Sequence, residues 1–144
     1  MDLQEMHAAF PFSDDLFDFI ISSDCVEHSA DPKKSILEMC RVCRPRGYIC
    51  ITTPNKLWYV MLLVTQWLEA RKVSGIENWI FPYQAKKIFK NGGMSNVIFG
   101  GCHLLPFQLK FLRPYLKKTD RLGRLLYPLM INFGIIAQKT ARRQ

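Results

Sequence analysis

Acidic residues all but vanish from the last quarter of this 144-residue chain, where residues 110–144 hold nine Lys and Arg against Asp120 alone. That segment carries the whole net charge of +8, because residues 1–109 contain eleven charges of each sign. The opening Met-Asp-Leu-Gln-Glu-Met-His lacks a basic region followed by an apolar stretch, so no secretory leader is expected. Long hydrophobic runs are also missing. The longest, residues 57–68, is broken by Thr65 and Gln66 and falls short of the roughly 20 residues that span a bilayer. Cysteine numbers five, an odd count, and no second pair follows the C-x-x-C of Cys40 and Cys43. These thiols read as small buried hydrophobes in a reducing compartment, so a cytoplasmic setting is expected. Internal repeats and low-complexity tracts are absent.

What is present suits one compact domain, with 49% hydrophobic residues and too little length for two buried cores. Residues 2–16 read as a loop, with a turn signal at Ser13-Asp14-Asp15. Residues 17–22 form an apolar run of strand length, consistent with a strand buried on both faces. Asp31-Pro32 starts a helix, with Asp as N-cap and Pro in the first turn. Ile36, Leu37, Cys40 and Cys43 mark its buried face, and Pro45-Arg46-Gly47 ends it. Residues 48–53 make a second strand. Strand, helix and strand together form a right-handed βαβ unit, whose ligands bind beyond the carboxyl ends of the strands. The polar clusters at residues 22–28 and 52–55 sit at those ends.

Downstream, Pro54-Asn55 opens an apolar helix from Lys56 to about Arg71. A polar connection at residues 73–78 leads to a helix at residues 82–91, which Gly92-Gly93 terminates. Strands are expected at residues 96–99 and 129–137, with a basic tail at residues 139–144. Between them, residues 104–129 mix cations with aliphatic and aromatic side chains and three prolines. Short broken helices are expected there. Such a segment suits an anionic membrane surface or an acidic partner, or forms a solvated rim. Nucleic acid is not expected as a partner, because no reading motif accompanies the charge.

Five short motifs then fall in register: Pro-Phe-x-x-x-x-Phe-Asp (Pro11 to Asp18), Val-Glu-His (Val26 to His28), Asp-Pro (Asp31, Pro32), Arg-Val-x-Arg-Pro-x-Gly (Arg41 to Gly47) and Thr-Pro-Asn (Thr53 to Asn55). Together they resemble class I S-adenosylmethionine-dependent methyltransferases of the methyltransferase type 11 kind. The resemblance is clear over residues 2–56, weaker to about Gly101 and thin beyond. It implies an α/β fold: a partial Rossmann-like methyltransferase sheet of strands four to seven, the last antiparallel beside the fifth, with flanking helices. Residues 1–144 would be a single, N-terminally incomplete domain. The cofactor implied is S-adenosylmethionine, with contacts at Asp2, Ser23, Asp24 and Val26. Asp2 reads equally well as part of a loose terminus.

The departures from the family carry weight. Its Gly-x-Gly-x-Gly loop and the acidic residue that holds the ribose are absent, since strands one to three would precede Met1. Arg46 stands where the family has glycine, a costly choice if φ is positive there. Strand four would lose its neighbour and present an apolar edge to another chain. Among the residues themselves, His28 is the histidine closest to the strand ends and could take the acceptor's proton. Asp24-x-x-Glu27-His28 also resembles a divalent-cation cluster of some relatives, yet no metal is assigned. Thr52, Thr53 and Asn55 would border the acceptor, with Trp58, Tyr59, Trp79, Phe81 and Tyr83 as walls. The reading is methyl transfer to a small apolar molecule. Two alternatives stay open: an inactive, truncated interaction module, and a peripheral membrane protein acting through residues 104–129.

Overall fold

Asp31 and Pro32 begin the first helix as their residue types dictate. The computed structural model describes residues 9–60, 63, 77–103 and 121–141. Asp2, most of the expected helix at 56–71 and residues 104–120 of the basic segment lie outside the described residues. Strand β1 (Phe17–Ser23) leads to helix α1 (Pro32–Val42), where Asp31 Oδ1 accepts the Lys34 N–H at 3.0 Å. Strand β2 follows directly (Cys43–Pro54), then α2 (Pro82–Asn91), β3 (Met94–Cys102), a single turn α3 (Gly123–Leu126) and β4 (Asn132–Lys139). Gln84 Oε1 accepts the Phe81 N–H at 3.0 Å and fastens the start of α2. Among the described residues no helix is long and apolar enough to cross a membrane.

The strand order is β1-β2-β4-β3, with β1 parallel to β2 and β4 antiparallel to both neighbours. The expected insertion of a reversed last strand beside the fifth is therefore observed. Several boundaries differ from the sequence reading, β3 for one running over Met94–Cys102 where residues 96–99 were expected. Helix α1 stops at Val42 and β2 already pairs at Cys43, because a bulge between Phe17 and Phe19 takes up the Pro45-Arg46-Gly47 corner within the ladder. The last strand starts at Asn132, since residues 127–129 form a 3-10 turn.

One face of the sheet is buried. Ile49 and Ile51 of β2 and Phe133 and Ile135 of β4 pack with Ile36 of α1 and Phe89 of α2. Each such side chain removed from water is worth about 1.5–3 kcal/mol. Gly92 lets the end of α2 pack close against α1, for a Cβ there would meet Cys40 Sγ at 2.6 Å. Cys40 and Cys43 are buried, as expected of small hydrophobes, and desolvation pushes the Cys40 thiol up to about 12. The opposite face is open, which corrects the expectation of a β1 buried on both sides: Phe19 is 55% and Ile21 70% exposed.

The amino ends of the strands are tied by charge. Lys139 Nζ donates to the carbonyls of Cys40 and Cys43 at 2.7 Å each, and pairs with Asp15 at 2.9 Å. An ammonium there meets the negative end of the α1 dipole. Arg41 binds Glu38 and Asp14 at 2.8 and 2.7 Å and the carbonyl of Phe12 at 2.9 Å, fixing the N-terminal loop.

Two substitutions test this construction. Arg46 has φ 66°, so Arg46→Gly should raise stability by about 1 kcal/mol, read as a higher urea midpoint at constant slope. Lys139→Met should lower stability by about 2 kcal/mol or more, since it strips a charged donor from half-buried carbonyls. An unchanged midpoint in either variant would refute the corresponding account.

Candidate functional site

The β1–β2 register sets Ser23 opposite Thr52 at the carboxyl ends of the parallel pair. Their hydroxyls lie 3.1 Å apart. The chain then turns through Asp24 at φ 45°, a left-handed conformation that Asp tolerates better than most residues. That turn is held from β2: the Asp24 N–H donates to the Thr52 carbonyl at 3.0 Å and to Thr52 Oγ1 at 3.2 Å. Thr52 Oγ1 also lies 3.3 Å from Asp24 Oδ1. The two polar clusters therefore meet, and Ser23 and Asp24 remain exposed, with Thr52 half-buried beside them.

Behind this surface runs a buried polar layer. Residues Val26–His28 form a 3-10 turn. Glu27 points inward and accepts a hydrogen bond from Thr53 Oγ1 at 3.1 Å. Its carbonyl accepts the Asn78 N–H at 2.7 Å, while Asn78 Nδ2 donates to the Ser29 and Ala30 carbonyls at 3.0 and 3.2 Å. Burial holds the Glu27 carboxyl above its ordinary value, opposed by hydrogen bonds from its own backbone and Thr53. Asn55 is fully buried and fully used: Nδ2 donates to the carbonyls of Pro128 and Met130 at 2.8 and 3.1 Å, and Oδ1 accepts the Leu57 N–H at 3.1 Å.

The expected site residues thus divide. Ser23, Asp24 and Thr52 form one exposed cluster, and His28 sits half-buried on the adjoining turn. Val26, Thr53 and Asn55 lie in the interior: Val26 belongs to the core, Thr53 bonds Glu27, and Asn55 bonds main-chain carbonyls. Asp2 is outside the described residues. Among these residues no group of three or more His, Cys, Asp and Glu side chains is placed to hold a metal ion. Sequence reasoning placed Glu27 only in a cation-like cluster and missed its pairing with Thr53. It also missed Asn78, for which local sequence offers no signal.

A cleft of about 360 Å³ opens beside this end of the sheet, lined in part by Asp31, Lys56, Tyr59, Glu77 and Trp79. Tyr59 and Trp79 meet edge to face at 5.6 Å. Phe81 and Tyr83 stack on each other at 5.4 Å, with Lys56 Nζ 5.9 Å from the Phe81 ring. Trp58 is taken up by the Leu129 carbonyl, to which its Nε1 donates at 2.9 Å. A slightly larger cleft, about 400 Å³, lies at the other end of the strands around Asp15, Arg41 and Lys139. Those side chains are consumed by the ion network described above.

Residues 1–51 match the family model described as a methyltransferase domain. No curated protein matches the chain. Among solved structures, it resembles a SAM-dependent methyltransferase of Thermotoga maritima, described as a possible histamine N-methyltransferase. The identity is 12% and the TM-score 0.64, over 91% of this chain and 60% of that one. A SAM-dependent methyltransferase of Archaeoglobus fulgidus is 19% identical with TM-score 0.57, over 96% and 66%. A Haemonchus contortus phosphoethanolamine N-methyltransferase, solved with phosphomonomethylethanolamine and S-adenosylhomocysteine, is 16% identical with TM-score 0.56, over 91% and 35%. The chain thus spans about 60% of the length of the Thermotoga maritima structure. Its α/β fold is that of the class I S-adenosylmethionine-dependent methyltransferases, present in part.

Glu27 makes the buried layer testable by pH. Its carboxyl binds a proton more tightly in the folded chain, so its stabilising contribution is complete below 4.5 and fades as pH rises through the folded value. Glu27→Gln keeps an acceptor for Thr53 without ionising. The variant and parent should have equal denaturation midpoints below 4.5, and the variant should be the more stable at neutral pH. Parallel curves across this range would show that burial does not govern the group.

Proposed function

We propose that this chain is the acceptor-side part of an S-adenosylmethionine-dependent methyltransferase that acts on a small molecule. The observation that carries this reading is the joining of Ser23, Asp24 and Thr52 across the carboxyl ends of two parallel strands, where α/β sheets bind ligands. The methyltransferase signature over residues 1–51 supports it. The residues fit one wall of a cofactor site: an exposed carboxylate suits a sulfonium cation, and the hydroxyls suit a polar amino-acid moiety. Bound there, the cofactor would supply the methyl group. The chain itself contains no Gly-x-Gly-x-Gly loop, so among the described residues the β1 turn is the contact proposed.

The protein's further task is to align the acceptor and take its proton. His28 is the base proposed, on the turn that follows Asp24. The cleft of Tyr59 and Trp79 would receive an acceptor with an apolar body, while Asp31, Lys56 and Glu77 offer charge to a polar end. The Thermotoga maritima protein is described as a possible histamine N-methyltransferase and the Haemonchus contortus one as a phosphoethanolamine N-methyltransferase, and acceptors of that kind accord with a mixed cleft.

Titration of S-adenosylhomocysteine into isotope-labelled chain should shift the amides of Ser23, Asp24 and Thr52 with sub-millimolar affinity. Thr52→Ala, which removes the hydroxyl shared by Ser23 and Asp24, should weaken binding roughly fivefold. No shift by about 1 mM ligand, or shifts confined to the Lys139 end, would overturn the reading in favour of an inactive interaction module.

A further inference from the structure

Two short segments meet at the carboxyl end of β2. That strand stops at Pro54, opposite Asn132 where β4 begins, so residues 56–63 and 121–131 emerge from the same end of the sheet. Asn55 Nδ2 donates to the Pro128 and Met130 carbonyls and Trp58 Nε1 to that of Leu129, which ties one segment to the other. Tyr127 stacks on Phe99 at 4.6 Å, and Gly123 is buried where a Cβ would strike the Gly101 carbonyl. So anchored, the two segments turn their aliphatic side chains outward. Leu57, Val60 and Leu63 are exposed on the first, and Leu122, Leu125 and Leu129 on the second. Val60 is 68% and Leu125 76% accessible. Arg121 and Arg124 stand exposed among these leucines. Residues 56–63 and 121–131 contain no Asp or Glu.

We propose that this patch seats the chain on an anionic lipid surface. The leucines and Val60 dip to the boundary of headgroups and acyl chains, and Arg121 and Arg124 meet the lipid phosphates. Three features select lipid as the occupant. Aliphatic side chains interleaved with cations are the pattern of segments that lie in a bilayer interface. With no carboxylate in either segment, nothing in the patch is repelled by the anionic surface, and each cation adds to the attraction. The aromatic residues beside the patch are already engaged, Trp58 by the Leu129 carbonyl and Tyr127 by Phe99. A protein partner would gain most from aromatic residues, since Leu and Val are under-represented among the residues that dominate protein interfaces. A second copy fits worse, because it would set Arg121 and Arg124 against their own like charges. The chain lies on the surface: among the described residues no helix is long and apolar enough to cross.

The docking rests on this patch and not on the methyl transfer proposed above. Flotation on a density gradient tests it, using the full chain and phosphatidylcholine vesicles that carry about a third phosphatidylglycerol. The chain should rise with these vesicles at about 0.1 M salt, and raising the salt to about 1 M should weaken binding at least about tenfold. Vesicles of phosphatidylcholine alone should leave it at the bottom of the gradient. Leu125→Asn and Val60→Asn should each weaken binding at least about tenfold. The circular dichroism of the free chain should not change in either, because both side chains are already exposed. Arg124→Gln should weaken binding roughly fivefold. Ile21→Asn, on the open face of the sheet, should float as the parent does. Failure to float, or equal flotation on the neutral vesicles, would overturn the proposal. So would flotation indifferent to Leu125→Asn and Val60→Asn, or lost in Ile21→Asn. Retention on immobilised polyglutamate without flotation would overturn it in favour of an acidic polypeptide.

Discussion

The parallel pairing of β1 with β2 is the constraint on which the candidate site depends. Side chains alternate across a strand, so a slip of one residue would exchange the two faces of β1. Ser23 would leave Thr52, and Asp24 would lose both acceptors that hold its left-handed turn. Within the described residues β1 has no other strand to fix its register. The register is therefore held from its ends. Asp18 pairs with Arg44 of β2, and the loop before β1 is strapped to α1 by Arg41. Lys139 reaches from the last strand to the end of α1 and to Asp15, so the first and last elements lock the same corner.

Polar residues at the other end of the sheet divide their labour by depth. Ser23, Asp24 and Thr52 meet solvent and bond one another, so a ligand could replace their water contacts at low cost. Beneath them Thr53 and Glu27 bond each other through their side chains, while Asn55 and Asn78 satisfy main-chain carbonyls. Each such bond contributes only about 1 kcal/mol, yet a buried group left without its partner costs more than that. The lower layer thus fixes where the upper one sits. For Glu27 burial works against the charge, opposed by hydrogen bonds from its backbone and Thr53 and by the nearby His28.

Much of this was legible in the sequence, and the reason differs by element. The start of α1 was readable because Asp31-Pro32 is a local signal, with a capping bond that stays within three residues. The span of α2 was readable from Pro82 and the glycines after Asn91. The end of α1 was misplaced because β2 captures Cys43 through pairing with Phe17, a contact 26 residues away that no window of sequence displays. The roles of Thr53 and Asn55 were obscured for a similar cause. Alternation puts Thr52 and Thr53 on opposite faces, and which face is buried depends on where the helices pack. Asn55 is bound by carbonyls more than 70 residues downstream.

The bare face bears on how the site can work at all. A turn held only from β2 presents Ser23 and Asp24 on one side of a surface open to water, where a carboxylate's attraction for a cation is screened. Electrostatic positioning gains strength where water is excluded, and among the described residues nothing stands opposite this turn to exclude it. Among the described residues no strand lies along the outer edge of β1, so the cluster is walled there from β2 alone.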